Sequence, residues 1–270
     1  MDMLSAQQAI SSNKDAWNES AKLHKDTANW KTLLDSVGKP GFSRLDPTLT
    51  QLLIEVGVDG KDVVQLGCNN GRECLSLFGL GARTVVGIDQ SEAFLEQARE
   101  LADVSPHSPE FIVADVHHLP TSVLGRFDVA LITIGVLNWM PDIALFMARV
   151  ASTLKPGGTL VIYETHPFLE VFDPKGANPM LPASSYFQRE PFVLQEAIVY
   201  EGETERSAAA SYWFVHSMGA IVSGAIAAGL QINHLQEYPH SNREELYDQY
   251  ENQPAQLPMC FTLTAIKRPA

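Results

Sequence analysis

Two aspartates and a glutamate–histidine pair stand where apolar runs end, the places in a sheet at which side chains are free to do chemistry. Asp89 closes Thr84-Val85-Val86-Gly87-Ile88, Asp115 closes Phe111-Ile112-Val113-Ala114, and Glu164 ends Thr159-Leu160-Val161-Ile162-Tyr163, two residues before His166. Upstream of Asp89 the run Val63, Val64, Leu66 stops at Gly67-Cys68-Asn69-Asn70-Gly71. Glycine and asparagine reach positive φ most easily, and a turn of small residues lets backbone approach a ligand where the next helix begins. An acid closing the following strand can accept two hydrogen bonds from a ribose diol. The stretch from Val63 to Asp89 therefore reads as strand, turn, short helix and strand, built to hold a nucleoside.

The glutamate–histidine pair suggests proton transfer. Strand alternation puts Leu160, Ile162, Glu164 and His166 on one side, so both polar groups can point together at the strand's carboxyl end. An unperturbed histidine titrates near pH ~6.5, and a neighbouring carboxylate raises its pKa and fixes its tautomer. His166 is thus the leading general base and Glu164 its orienter, although Pro167 forces an extended or turn conformation on His166. His216, just before the Ser217 helix cap, is the second candidate. For each histidine the competing reading is a side chain that only ties neighbouring segments together.

These groups need a scaffold. Residues 1–48 are polar with scattered apolar positions, among them Trp17 and Trp30, and read as an N-terminal helical lid. Residues 49–166 carry the alternation of helix and strand expected of a Rossmann-like core: Asp46-Pro47 opens a helix, Ser91 caps another, and Phe127 to Ile134 is the continuous apolar run of a central parallel strand. Helix 141–154 then stops at Lys155-Pro156-Gly157-Gly158. Residues 167–215 hold proline, glycine and aromatic residues with short alternating stretches, and read as an antiparallel cap inserted after the fifth strand. Residues 216–270 return to the core with a helix and two strands that have no crossover helix between them, hence an antiparallel final pair.

The glycine turn and the two strand-end acids resemble the class I S-adenosylmethionine-dependent methyltransferases, whose first motif is an apolar strand, an acid, then Gly-x-Gly-x-Gly. Here Gln65 stands for the acid and Asn69 for the middle glycine. Leu-Lys-Pro-Gly-Gly before the fifth strand is a further stretch of that family. Trp139-Met140, Glu164-x-His166-Pro167 and His216-Ser217 look like a bacterial branch acting on small molecules. The resemblance implies an α/β fold with a mostly parallel sheet and a C-terminal antiparallel hairpin. It implies S-adenosyl-L-methionine as cofactor, held by Gln65, Gly67, Cys68, Asn69, Asn70, Gly71, Asp89, Gln90, Ser91, Asp115, Val116 and Ile134, with Asp115 on the adenine amino group. Ligands of open α/β sheets bind beyond the strands' carboxyl ends, which places Asn138 and Trp139 at the acceptor. Trp17, Tyr186, Tyr212 and Trp213 are the other expected substrate contacts.

Composition narrows the partners. A formal net charge of −13 and the lack of any basic cluster argue against nucleic acid, whose affinity comes from cations neutralising phosphates. No apolar run reaches the roughly 18 residues of a membrane span, and no signal-peptide pattern begins the chain, so a cytoplasmic protein with a small-molecule substrate is expected. The 3 cysteines are not at metal-ligand spacing, and no metal site is expected. Oligomeric state stays open. A nicotinamide-dependent oxidoreductase places its glycine turn and acid with similar spacing but uses Gly-x-Gly-x-x-Gly. It remains one alternative, and a non-catalytic protein that keeps the cofactor fold is the other.

Overall fold

The computed structural model describes residues 5–25, 27–199, 206–242 and 245–269. Three helices precede the sheet: α1 (Ala6–Lys25), α2 (Ala28–Val37) and α3 (Pro47–Val56). Thr27 caps α2 by accepting from Trp30 N, so Trp17 and Trp30 sit on different helices. Asp46 caps α3 by accepting from Leu49 N, Pro47 fills the first turn where its missing N–H is harmless, and Gly57 at φ 79° ends it.

The core then alternates β1 (Asp62–Leu66), α4 (Arg72–Phe78), β2 (Thr84–Asp89), α5 (Glu92–Asp103), β3 (Glu110–Val113), β4 (Phe127–Ile132), α6 (Ile143–Thr153) and β5 (Leu154–Thr165). After β5 come the hairpin strands β6 (Phe192–Glu196) and β7 (Ser207–Trp213), then α7 (Met218–Ala227), β8 (Leu230–Tyr238) and β9 (Cys260–Lys267). The main sheet has the order β3-β2-β1-β4-β5-β9-β8, with β1 to β5 parallel and β9 antiparallel to both β5 and β8. The expected terminal antiparallel pair is present, and β6 and β7 form a separate two-stranded sheet.

Strands β1, β4 and β5 are buried on both faces, which is why they read as apolar runs. Alternate residues feed two layers: Val64, Leu66, Ala130, Ile132, Leu160 and Ile162 pack with α6 and α7, while Val63, Val129, Leu131, Val161 and Tyr163 pack with α3 and α4. At the amino ends of the strands, Asp62 binds Arg83 and Lys155, and Lys155 also binds Asp128. The Arg83 guanidinium, ahead of Lys155, holds Asp62 well below the usual carboxylate range. The carboxyl ends carry the site.

Two boundaries differ from the sequence reading. Strand β5 begins at Leu154 and runs through the Lys155-Pro156-Gly157-Gly158 stop, because Leu154 already pairs with Phe127, with a register shift between Phe127 and Val129. Strand β3 ends at Val113, and Asp115 lies beyond it as the cap of a turn at Val116–His118. Among the described residues, no helix is long and apolar enough to cross a membrane.

Candidate active site

A cavity of about 350 Å³ opens over the carboxyl ends of β1, β2, β4 and β5. Its floor is the glycine turn. Gly67, Asn69 and Gly71 have φ of 70°, 50° and 71°, so the middle position is left-handed and asparagine is among the few side chains that tolerate it. A Cβ on Gly67 would come within 2.7 Å of Val136 Cγ2, and one on Gly71 within 2.6 Å of Phe111 Cζ. The turn is therefore packed against its neighbours as well as bent.

Asp89 lines the cavity beside this turn and holds it. Its Oδ2 accepts from Asn69 N at 2.8 Å and its Oδ1 from Ser91 N at 2.8 Å. The two oxygens of one rigid carboxylate, each able to accept more than one hydrogen bond, match a vicinal diol. Burial raises the Asp89 pKa, opposed by the backbone N–H groups of Ser91, Asn69 and Gln90. Asp115 is more committed: Oδ1 accepts from both His117 N (2.9 Å) and His117 Nδ1 (2.8 Å), and Oδ2 from His118 Nδ1 (2.9 Å). One lone pair, on Oδ2, remains for a ligand amine. Although burial raises its pKa, the two histidines together outweigh that and leave it well below the usual range.

The opposite wall is aromatic. Trp17 from α1, Trp139 from the turn after β4 and Trp213 from β7 meet edge to face, with ring centroids 5.3 Å and 4.9 Å apart along the chain of contacts. Helix α1 and the β6–β7 hairpin form one roof: Asn13 Nδ2 donates to Tyr212 O at 3.0 Å while Tyr212 N donates to Asn13 Oδ1 at 2.7 Å, and Ile198 N donates to Ser20 Oγ at 2.9 Å. Trp213 is fixed from behind by Nε1–H donating to Glu170 Oε2 at 2.9 Å.

Of the expected site residues, Gly67, Cys68, Asn69, Asp89, Gln90, Asp115, Val116, Ile134, Trp17, Trp139 and Trp213 line this cavity. The others are corrected in placement. Gln65 is buried in the core, donating from Nε2 to Thr133 Oγ1 and accepting from Cys74 Sγ. Ser91 caps α5 and donates to Asn18, Gly71 serves the turn's own packing, and Asn70 lines a neighbouring chamber. Asn138 clamps the end of the hairpin, its Nδ2 donating to Phe214 O at 2.9 Å and its O accepting from Phe214 N at 2.7 Å. Tyr186 accepts from Met218 N at the start of α7, and Tyr212 is tied to Asn13 through its backbone.

The three expected acid–base residues lie outside the cavity too. Glu164 Oε1 accepts from Gly135 N and Thr165 N, and Oε2 from Leu137 N, so this carboxylate anchors the turn after β4. His166 Nδ1 accepts from Phe168 N (3.1 Å) and Nε2–H donates to Glu237 Oε1 (2.8 Å), which leaves neither nitrogen for a substrate proton. His216 Nε2 donates to Met140 O at 2.7 Å. Burial lowers both histidine pKa values, more than Glu237 raises that of His166 or the Met140 backbone that of His216. We expect His166→Asn to keep at least about a third of wild-type turnover, against the 10²- to 10⁴-fold loss that removing a general base typically brings. Its two lost hydrogen bonds should instead lower stability by roughly 1–3 kcal/mol. Steady-state kinetics beside urea titration separate the two.

Several lining residues escaped the sequence reading. Arg72 and Glu73, an ion pair at 2.9 Å, directly follow the glycine turn, and that adjacency was the available signal. Arg44 and Asp46 precede α3, and Tyr163 carries a phenol that burial, and then the Asp46 carboxylate beside it, push far above the ordinary value, so it stays a donor. Ile10 and Ile198 arrive from the roof with no local signal at all.

The strand order with its antiparallel β9, and a glycine turn facing a strand-end acid, define a Rossmann-like sheet of the methyltransferase type. Residues 64–162 match the family described as Methyltransferase domain. The chain is 32% identical over 103 residues to the ubiquinone biosynthesis O-methyltransferase of Bradyrhizobium diazoefficiens, covering 38% of this chain and 39% of that protein. It is 30% identical over 151 residues to the tRNA U34 carboxymethyltransferase of Idiomarina loihiensis, covering 54% of this chain and 42% of that one. The matches thus span less than half the length of these curated relatives. In fold it is similar to the Burkholderia thailandensis 1,6-didemethyltoxoflavin-N1-methyltransferase solved with 1,6-didemethyltoxoflavin and S-adenosylhomocysteine, at TM-score 0.58 and 16% identity, over 100% of this chain and 93% of that one. Over residues 64–162 the chain thus carries a methyltransferase domain, for which S-adenosylmethionine is the cofactor.

The residues fit that cofactor. The two carboxylate oxygens of Asp89 match a ribose diol, and the acceptor left on Asp115 matches an amine. Gly135, at φ 87°, lines the cavity with nothing within 4 Å of where a Cβ would stand, so its lack of a side chain leaves space above the end of β4.

Proposed function

We propose that the protein transfers a methyl group from S-adenosylmethionine to a small-molecule acceptor bound under the roof of α1 and the β6–β7 hairpin. The cofactor supplies an electrophilic methyl on a sulfonium. What the chain contributes is position: Asp89 and the glycine turn fix the nucleoside, Ile134 and Gly135 border the reacting region, and the indoles exclude water. Holding nucleophile and methyl in line can supply roughly 7–11 kcal/mol of the barrier reduction.

The observation that carries the reading is the charge of the cavity lining. Among the described residues, five carboxylates (Asp46, Glu73, Asp89, Asp115, Glu245) line it against two guanidiniums (Arg44, Arg72), within a chain of formal net charge −13. A tRNA acceptor, suggested by the names of several relatives, would bring phosphates to a surface where carboxylates outnumber the cations that could neutralise them.

The test is incubation with labelled S-adenosylmethionine and two acceptor pools, a small-metabolite panel and undermodified tRNA. Label entering a metabolite, with S-adenosylhomocysteine formed in step, is the expected result. Label entering tRNA instead would overturn the small-molecule reading, and tight cofactor binding with no transfer to either pool would favour a binding protein.

A further inference from the structure

The cavity must hold both reactants, yet at about 350 Å³ it lies at the low end of the ~300–1,000 Å³ typical for a single drug-sized ligand. The acceptor is therefore small, on the scale of one or two fused rings.

Three of the protein's 4 tryptophans line this cavity, while the fourth, Trp30, is buried in a separate cluster with Leu33 and Val37. Trp139 stands nearly perpendicular to both Trp17 (74°) and Trp213 (89°), so the indoles make corners in which a flat ring can stack on one face and meet a neighbour's edge. The polar edge of Trp213 is occupied by Glu170, which leaves its ring as π surface. The electron-rich faces of these rings attract cations and repel anions.

The cavity's cations are elsewhere. Arg44 and Arg72 border both this cavity and an adjoining chamber of about 100 Å³, whereas none of the three cavity indoles lines that chamber. The guanidiniums thus mark the junction with the chamber, and the aromatic wall faces a cavity dominated by carboxylates.

From this we infer that the acceptor is a planar aromatic molecule, uncharged or cationic, held against Trp17, Trp139 and Trp213. The inference rests on the methyl-transfer reading and narrows it to one chemical class. Anionic aromatics and saturated rings of equal size are excluded.

The experiment is calorimetric titration of the protein saturated with S-adenosylhomocysteine, using four bicyclic probes of matched size: 2-naphthylmethanol, 2-naphthylmethylamine, 2-naphthoate and decahydro-2-naphthylmethanol. The aromatic alcohol and amine should bind at least about tenfold more tightly than the carboxylate or the saturated alcohol. Trp139→Leu and Trp213→Leu should each weaken the aromatic alcohol about tenfold while leaving S-adenosylhomocysteine affinity within about twofold, which also shows that the variants fold. Equal or tighter binding of 2-naphthoate or of the saturated alcohol would overturn the inference. So would unchanged probe affinity in both variants, or no probe binding to a protein that does bind S-adenosylhomocysteine. Failure to bind S-adenosylhomocysteine at all would instead remove the methyl-transfer reading, and this inference with it.

Discussion

Replacing Asp89 with alanine should lower affinity for S-adenosylhomocysteine by roughly 10²- to 10³-fold, a loss of about 3–4 kcal/mol. Two hydrogen bonds from a diol to a carboxylate are worth roughly 1.5–3 kcal/mol each, part of which entering water restores. The carboxylate also accepts from Asn69 N and Ser91 N, so its removal loosens the turn that forms the cavity floor. Asp89→Asn should be nearly as damaging. One oxygen survives, but the amide NH₂ must then face a backbone N–H, donor against donor. Calorimetry on folded variants checks this, and unchanged affinity in either would remove Asp89 from the cofactor site.

The same residue sets a pH dependence. Burial raises its pKa, so as the pH falls Asp89 takes up its proton earlier than a solvated aspartate would. Cofactor affinity should therefore decline on acidification ahead of the ordinary carboxylate range. Folding linkage has the opposite sign, since a carboxyl whose folded pKa is raised is a burden to the fold above that pKa and is relieved of it as the pH falls through it.

Much of this was legible in the sequence because it depends on local chemistry. The glycine turn needs positive φ at fixed positions, and the apolar runs of β1, β4 and β5 report burial on both faces. What was not legible depended on pairing between distant segments. Strand alternation does put Glu164 and His166 with the layer of Leu160 and Ile162, but within it they reach opposite ways. Glu164 turns toward Gly135 after β4, whereas His166, 6.2 Å from the Phe261 ring, turns across β9 to Glu237 on β8. Only the sheet order reveals that β9 and β8 lie on that side. Asn138, read as a substrate contact because it stands near a strand end, is likewise spent joining roof to core, and Tyr212, read as lining a pocket in the cap, is tied through its backbone to α1 within the roof.

That reassignment of Glu164 makes the second large prediction. Its buried carboxylate accepts from the backbone N–H groups of Gly135, Leu137 and Thr165, and each buried donor left without an acceptor costs about 1–3 kcal/mol. Glu164→Ala should therefore destabilise the protein by roughly 3–5 kcal/mol, lowering the thermal midpoint by on the order of 10 °C. Glu164→Gln keeps one oxygen for Gly135 and Thr165 and should recover about half of that loss. Because the turn carries Ile134, Gly135 and Trp139 into the cavity, a shift of about 1 Å can still cost roughly 10²-fold in rate at a temperature where the variant is folded. The pH–rate profile tells an anchor from an orienter of a base: if Glu164 held a catalytic histidine, Glu164→Gln would move the acidic limb, whereas an anchor lowers the profile at every pH without moving it. A displaced acidic limb, or an unchanged thermal midpoint in Glu164→Ala, would return Glu164 to acid–base chemistry and take the turn out of its charge.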